Sequence, residues 1–515
     1  MATHHATAGD RSAEMLQARS LASVFWLTLQ NLLAAILLVA IPAVLAHMLT
    51  PEDLGLLEIA LAFFGLATLF MELGTGPAII QRPAVDATFL STVFGVNVAT
   101  GAIFAIVLIA AAPAITGWLR MDARLIGILR WLGVTLIPLS TAIVSRNLLA
   151  RRLLYRRVTM ADAIAGGTAA IVALVGLSHG LDVALTLGFL VYGTVVTIVL
   201  WSAIRWWPSA RPDFGMVWPL LRFSLSVSAA KMLDNMSLQS DRFLIGRYLG
   251  AASLGLYGLA RTLIRVPLRY FLNVTDELLL PGLAVLQGDG ARAREYYLTT
   301  LRLELAILGP VVIVAGVFAT DFSRLLFGPS WDRAAVVAML LAFAAWRHVT
   351  GHTTGAVLLS HGRPDLQVRW TACALVFSII YFVIGMPWGL EGVAGAQAIF
   401  EVGGWMIRHT MANRILNLSW RQFARSLSPL WIAHGIYVLV VIALRQMLVI
   451  PLPATAIRLP VGLFLSTAAY FIIIRLALPG LLTTLGKGVV QSFAHGVART
   501  ASAPPSPQPS DVTVG

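Results

Sequence analysis

Two stretches of the sequence, "LTPEDLGLLEIA" at residues 49–60 and "LGAASLGLYGLA" at residues 249–260, match each other at an offset of 200 residues. They share the first leucine, a Leu-Gly-Leu triplet and the final alanine. A second match, in the same order and at a similar offset, pairs "GLDVA" (180–184) with "GLEGVA" (389–394). Internal repeats of this kind are typical of membrane transporters. The sequence therefore predicts two homologous lobes.

The composition indicates a membrane protein. Of the 515 residues, 58% are hydrophobic and only 12% are charged, whereas soluble domains contain about 25% charged residues. An apolar stretch of about 20 residues is long enough to cross the hydrocarbon core as a helix. Fourteen candidate spans occur, and the eighth is the weakest because it contains three arginines. They are residues 21–46, 54–73, 88–112, 125–145, 160–178, 183–204, 217–240, 251–275, 302–320, 334–359, 370–387, 392–412, 428–448 and 458–478.

The predicted fold class is an all-α polytopic membrane protein with about 14 transmembrane helices. The first span is too long for a signal peptide and is expected to remain as a helix. The "TASAPPSPQPSDVTVG" end is expected to be disordered. An even number of helices per lobe makes the copies parallel, with a site between them near the midplane. The predicted parts are a cytoplasmic N-terminal segment (1–20), an N-lobe of helices 1–6 (21–208), a C-lobe of helices 7–12 (209–415), a final helix pair (416–480) and a cytoplasmic tail (481–515).

The distribution of arginine predicts the orientation, because short arginine-rich loops stay in the cytoplasm. With a cytoplasmic N-terminus, the cytoplasmic side carries Arg146, Arg151, Arg152, Arg156, Arg157, Arg205, Arg211, Arg222, Arg292, Arg294, Arg408, Arg414, Arg421 and Arg425. The opposite side carries fewer: Arg120, Arg124, Arg242, Arg247, Arg324, Arg333 and Arg458. Both termini are therefore expected in the cytoplasm. The net charge of +13 is mostly this topology signal and does not indicate nucleic acid binding.

Charged residues inside a span are expensive and are functional by default. Arg261, Arg265 and Arg269 are spaced i, i+4, i+8, which places them on one face of the eighth helix. The matching positions of the first repeat are Leu61, Gly65 and Leu69, so the fold does not need these cations. Two interpretations stay open. Either the stripe binds an anion, or Arg265 and Arg269 reach the cytoplasmic headgroups and only Arg261 is buried.

The seventh span contains Lys231 and Asp234, which can pair at i and i+3 and lower the cost of burial. The repeat places Asn31 opposite Lys231, so the first helix is also polar in its middle. A functional interpretation makes Lys231 a substrate contact and Asp234 an acceptor of a proton or sodium ion. The structural interpretation is an ion pair without a further role.

Other polar residues are weaker candidates. Glu401 lies deep in the twelfth span and is a candidate for ion coupling, while Arg130 and Arg347 are expected to be buried enough to join a cationic cavity. His348 and His352 have a metal-ligand spacing, but Val349 stands where a zinc protease needs glutamate. Cys373 is the single cysteine and excludes disulfides within the chain. No metal, cofactor or catalytic residue is expected.

The sequence resembles the polysaccharide-exporter branch of the multidrug/oligosaccharidyl-lipid/polysaccharide superfamily, including Wzx-type flippases and colanic-acid exporters. The resemblance covers about residues 20–480. The motifs that carry it are "LTPEDLGLLEIALAFFGLATLFMELGTGPAIIQR", "LARRLLY", "SDRFLIGRYLGAASLGLYGLARTL" and "GLEGVAGAQAI".

The resemblance implies a transporter of the bacterial inner membrane. Its substrate would be a polyprenyl-diphosphate-linked oligosaccharide for a surface polysaccharide, such as lipopolysaccharide or exopolysaccharide. The substrate would move to the outer leaflet by alternating access around a cationic cavity, and a polysaccharide polymerase and other assembly proteins would be partners. Asp241 coincides with an aspartate common in the family's pattern and is a second coupling candidate, although a role as a helix cap is open.

Two other function classes were considered. A cation-coupled multidrug antiporter of the same superfamily is the alternative, but it is expected to favour acidic cavity residues over an arginine stripe. A membrane-embedded glycan-modifying enzyme is less well supported. The "GLSHG" stretch (176–180) matches a nucleophile motif but ends a membrane helix instead of joining a strand to a helix.

The predicted topology can be tested with single cysteines. Cysteines placed at Arg152 and Ser502 should react with an impermeant thiol reagent only from the cytoplasm, and a cysteine at Asp182 only from outside. A Cys373→Ser background removes the native thiol. Labelling of Arg152→Cys from outside would overturn the orientation.

Overall fold

A computed structural model describes residues 39–40, 42–72, 75–82, 84–286, 289–452 and 454–477. Within these ranges the chain forms helices joined by short turns, and no strand occurs. Most of the predicted first span, the N-terminal segment and the C-terminal tail lie outside the described residues. The side chains of Lys231, Asp234 and Arg269 also lie outside the description, although their backbone is helical.

The helices of the described chain are numbered in chain order. They are α1 (Pro51–Glu72), α2 (Thr75–Gln81), α3 (Ala87–Leu119), α4 (Arg124–Arg151), α5 (Tyr155–Gly176), α6 (Leu181–Ile204), α7 (Val217–Val285), α8 (Gly290–Val317), α9 (Ala319–Leu326), α10 (Asp332–His352), α11 (Thr354–Ser360), α12 (Pro364–Gly385), α13 (Gly389–Ile415), α14 (Trp420–Val449) and α15 (Thr455–Ala477). The first compact unit contains residues 60–232, and the second contains 35–59 with 233–486.

The predicted spans agree with these helices. Every predicted span from the second onward overlaps a described helix. Eleven described stretches are long and apolar enough to cross a membrane, and one of them, Pro364–Ile415, contains two predicted spans. The chain is therefore an all-helical, multi-pass membrane protein. The total of fourteen spans stays a prediction, because the first lies mostly outside the described residues.

Helix α7 is a hairpin of two arms, 217–249 and 251–285. Gly250 separates them with φ 85° and ψ 171°, a backbone conformation that glycine adopts without a steric penalty. Asp241 contacts Tyr257, and Leu238 contacts Arg261. Because these pairs lie at similar distances on either side of Gly250, the two arms run antiparallel.

Capping explains why some helices begin before the predicted spans. Helix α8 begins at Gly290 because the Asp289 side chain accepts hydrogen bonds from the backbone N–H groups of Ala291 and Arg292. Helix α14 begins after Ser419, which forms a capping box with Gln422. Hydropathy does not detect these polar first turns, so the predicted spans began only at residues 302 and 428.

In the first unit, two arginines of α4 have structural partners. Arg146 donates to both carboxylate oxygens of Asp162 on α5, at 3.0 and 2.5 Å. Arg151 donates to the backbone carbonyls of Ile79 and Arg82, each at 2.6 Å. These carbonyls have no partner inside α2, because the last turn of a helix leaves its carbonyls free. Arg151 therefore fixes the end of α2 against α4.

In the second unit, a buried carboxylate ties the last two helices to α9. Asp321 is fully buried and lies 2.8 Å from Arg445 Nε and 2.5 Å from Arg458 Nη2. Arg445 belongs to α14 and Arg458 to α15. One carboxylate thus bridges two guanidinium groups and joins three helices.

We expect Asp321→Ala to destabilise the protein strongly, because it leaves two arginines without an anion. Removing one partner of a buried ion pair costs about 3–5 kcal/mol. Asp332→Ala is the matched control, because its ion pair with Arg324 is exposed and such pairs contribute at most about 1 kcal/mol. Thermal unfolding of the purified protein in detergent measures both. Equal unfolding temperatures for the two variants would contradict the prediction.

Candidate functional site

The second unit contains a buried carboxylate at the centre of a hydrogen-bond network. Asp241, on the first arm of α7, is 7% exposed. It accepts hydrogen bonds from Tyr257 Oη at 2.7 Å and from Tyr381 Oη at 3.0 Å. Asp241 is inside a continuous helix, so it does not cap a helix end. The two hydrogen bonds join the two arms of α7 to α12 at this carboxylate.

Two of the three predicted stripe arginines are described, and both lie beside this network. Arg261 and Arg265 follow Tyr257 at i+4 and i+8, on the same face of the second arm of α7. Arg261 Nη2 donates to the Leu238 carbonyl at 3.1 Å, and its Nη1 is buried without a hydrogen-bond partner. Arg265 interacts electrostatically with Asp241 and also with Arg261. This position is compatible with anion binding, and the choice between anion binding and contact with lipid headgroups stays a prediction.

Helix α13 contributes a further arginine, which the sequence analysis assigned to a cytoplasmic loop. Arg408 is 9% exposed and lies inside the helix. Its Nη2 donates to Glu401 at 3.3 Å, and its guanidinium covers the Trp370 ring at 5.1 Å. Its Nε is buried without a partner. Glu401, predicted as a coupling carboxylate, is therefore paired with a cation.

Arg347 lies between two aromatic rings. Its guanidinium carbon is 5.3 Å from the centre of Phe343 and 5.8 Å from that of Trp405. The Trp405 indole donates to Thr350 at 2.8 Å, which fixes the ring. Arg347 Nε is buried without a hydrogen-bond partner. Stacking on aromatic faces leaves the donor edge of a guanidinium available to a ligand.

The two histidines with metal-ligand spacing lie one helical turn apart on α10. The rings of His348 and His352 are 6.0 Å apart. His348 also interacts electrostatically with Arg265 and Arg408. Among the described residues, no group of three His, Cys, Asp or Glu side chains could hold a metal ion. The histidines therefore belong to the surroundings of the arginines.

Arg261, Arg265 and Arg408 form one group, which we call the cationic cluster, and the His348 ring lies beside it. Arg265 connects it, because it interacts with Arg261 on one side and with Glu401 and His348 on the other. The carboxylates of Asp241 and Glu401 lie among these three guanidinium groups and offset part of their positive charge, but not all of it. The cluster, with buried donors that lack partners, has the chemistry of a site for a phosphate-type anion.

Among the remaining predicted site residues, Arg130 does not join this cluster. Arg130 belongs to the first unit and is exposed, whereas the sequence analysis expected it to be buried. The side chains of Lys231, Asp234 and Arg269, and the whole of Asn31, lie outside the described residues. Their assigned roles stay predictions.

Several residues of the site were missed by the sequence analysis. Tyr257 could have been found, because it is one helical turn before Arg261 on the stripe face. Arg408 could also have been found, since it is seven residues after Glu401 and therefore on the same helix face. Tyr381 gave no signal, because its contact with Asp241 joins positions 140 residues apart.

The fold is similar to that of a known lipid transporter. A solved structure described as "Lipid II flippase MurJ, inward closed conformation" matches with a TM-score of 0.66 and 14% identity. The match covers 90% of this chain and 99% of that chain. Most of the chain therefore has the same multi-helix fold as that structure.

Two curated relatives have names from polysaccharide assembly. The teichuronic acid biosynthesis protein TuaB of Bacillus subtilis is 22% identical over 76% of this chain and 83% of its own length. The lipopolysaccharide biosynthesis protein WzxC of Escherichia coli is 24% identical over 75% of this chain and 79% of its own length. The family described as "Polysaccharide biosynthesis protein" matches residues 44–336, more than half of the sequence. This match identifies the chain as a member of the polysaccharide biosynthesis protein family.

Proposed function

We propose that the protein flips a polyprenyl-diphosphate-linked oligosaccharide from the cytoplasmic to the outer leaflet of the bacterial inner membrane. Its product would feed the synthesis of a surface polysaccharide. Family membership, the names of TuaB and WzxC, and the fold shared with a lipid II flippase support this function. The protein is accordingly a transporter in this proposal, with no catalytic residue.

The observation that carries the proposal is the cationic cluster. A diphosphate is the part of such a substrate that is always charged, and it must exchange its hydration shell for cations. Arginine fits this need, because its planar donors bind two oxygens at once and it remains charged at any accessible pH. Arg261 and Arg408 each present a buried donor nitrogen without a partner. We assign the diphosphate to these two arginines and Arg265.

Further contacts complete the proposed path. Arg269 extends the stripe toward the cytoplasmic side, and Lys231 receives the diphosphate nearer the outer leaflet as the two predicted lobes rock. Asp234 holds Lys231 in the empty state. Arg347, stacked on Trp405, offers a donor edge to a sugar hydroxyl or a phosphate oxygen. Asn31 is assigned to the N-lobe wall of the cavity.

The acidic residues are assigned the coupling of transport to an ion gradient. Asp234, Asp241 and Glu401 are the proposed acceptors of a proton or sodium ion. The pairing of Glu401 with Arg408 favours a direct exchange, because a proton on Glu401 would release Arg408 for the substrate. Both termini are assigned to the cytoplasm. A polysaccharide polymerase and other assembly proteins are the proposed partners.

Arginine substitutions test the site. We expect Arg265→Ala to lower surface polysaccharide about tenfold or more, since a hydrogen bond to a charged group contributes about 1.5–3 kcal/mol. Arg265→Lys should restore it only partly, because the bidentate geometry is lost. Polysaccharide is measured in a complemented deletion strain, at equal protein level. Arg333→Ala, which breaks an exposed pair with Glu391, is the control. Full export by Arg265→Ala would remove Arg265 from the site.

Coupling is tested by neutralising the carboxylates. We expect Glu401→Gln to make transport less dependent on the ion gradient, because the side chain can no longer take up a proton or sodium ion. Flipping of a lipid-linked glycan in proteoliposomes, with and without a pH or sodium gradient, measures this dependence. Asp241→Asn is the companion variant. An unchanged gradient dependence in both variants would exclude these two carboxylates from coupling.

A further inference from the structure

The repeated stretches around Gly55 and Gly255 lie in direct contact in the second unit. A Cβ atom on Gly55 would collide with the backbone carbonyl of Ala251, and a Cβ atom on Gly255 would collide with that of Pro51. The two contacts are equivalent, because Gly255 is the repeat counterpart of Gly55 and Ala251 is the counterpart of Pro51. Each repeat therefore contributes one glycine and one backbone carbonyl. We call this contact, between residues 51–58 of α1 and 251–258 of α7, the Gly55–Gly255 crossing.

The crossing is reciprocal, as in a two-fold symmetric interface where both copies use the same surface. The two copies differ at several positions, and one difference places a carboxylate at the contact. Glu58 corresponds to Gly258 in the second repeat, and a Cβ atom on Gly258 would lie 2.5 Å from the Glu58 carboxyl carbon. The missing side chain at Gly258 therefore makes room for a single carboxylate at the crossing.

Glu58 is bound to an arginine that the sequence analysis assigned to an outer loop. Arg242 Nε lies 2.9 Å from Glu58 Oε2, and the two side chains are 17% and 14% exposed. Arg242 is on the first arm of α7, about 12 Å from Gly250, while Arg261 on the second arm is about 16 Å from it. The two arginines interact electrostatically, and Arg261 Nη1 has no partner. Glu58 is thus the anion paired with Arg242, and Arg261 lies nearby.

We propose that Arg242 and Arg261 form a binding site for a phosphate-bearing headgroup, and that Glu58 occupies this site while the Gly55–Gly255 crossing is closed. When the crossing separates, Glu58 leaves and the phosphate takes its place on Arg242. A buried arginine without an anion is strongly unfavourable. Separation is therefore favoured only when the incoming phosphate replaces the carboxylate, which links opening to the presence of substrate. This inference rests on the proposed function and extends it to Arg242 and Glu58.

Binding of inorganic pyrophosphate to the full chain in lipid nanodiscs tests the site. Glu58→Gln should raise the affinity about tenfold, a typical coupling between two sites, because the competing anion is gone. Arg242→Gln should weaken binding, and adding Glu58→Gln to it should then have little effect. Arg242→Lys keeps the charge and should weaken binding less. Glu295→Gln is the control, since Glu295 is the exposed partner of Arg302. Equal affinities of the wild type and Glu58→Gln would overturn the proposal.

A second variant reaches the same state without removing a charge. Gly55→Leu should hold the crossing apart and raise the pyrophosphate affinity as Glu58→Gln does. Gly166→Leu is the matched control, because a Cβ atom on Gly166 would meet nothing within 4 Å. An unchanged affinity in folded Gly55→Leu protein would contradict the link between the crossing and the site.

A disulfide tests whether the crossing must open. The Cβ atoms in Glu58→Cys/Gly258→Cys would lie at most about 4 Å apart, within the range of a disulfide. In a Cys373→Ser background, oxidation should stop glycan export and a reductant should restore it. Normal export by the oxidised protein would overturn the role of the crossing. The pyrophosphate measurements need no transport, so they still test the Arg242 site if the proposed flipping activity is wrong.

Discussion

Desolvation of arginine is the constraint on which the second unit depends. A guanidinium group withdrawn from water needs an anion, a carbonyl or an aromatic face as a partner. Three arginines in the described part of this unit have such partners. Arg458 has Asp321, Arg261 has the Leu238 carbonyl, and Arg408 has both Glu401 and the Trp370 ring. The helices of this unit are arranged so that these partners meet. The same requirement, left partly unmet at Arg261 and Arg408, makes the unit suitable for an anionic ligand.

The break at Gly250 converts a linear pattern into this arrangement. Without it, the Asp241 and Tyr257 positions would lie about 24 Å apart along one straight helix. The hairpin brings the Asp241 carboxylate to 2.7 Å from Tyr257 Oη. It also brings Arg242 close enough to Arg261 for the two charges to interact. A single backbone conformation that glycine adopts easily therefore creates both the hydrogen-bond network and the neighbouring pair of cations.

The sequence predicts features that depend on local periodicity. Hydropathy identified the described spans, and the i, i+4 spacing placed Arg261 and Arg265 on one face. Neither hydropathy nor spacing shows which side of a helix faces the rest of the protein. For this reason Arg130 was expected to be buried, although it is exposed. A charge near the end of an apolar stretch was interpreted as part of a loop, which is why Arg242 and Arg408 were assigned to the wrong environment. Tyr381 depends on packing between distant helices, which no single-sequence pattern records.

The contact between Gly351 and Arg408 gives the second unit a mechanical property. A Cβ atom at Gly351 would lie 2.8 Å from the guanidinium carbon of Arg408, so the backbone of α10 rests directly on this charge. Sliding of α10 along α13 would press on the guanidinium, and the Arg408 side chain would follow by rotating about its own bonds. In this way a rigid-body shift of a helix becomes a change of electric field at the neighbouring residues, with no change of protonation.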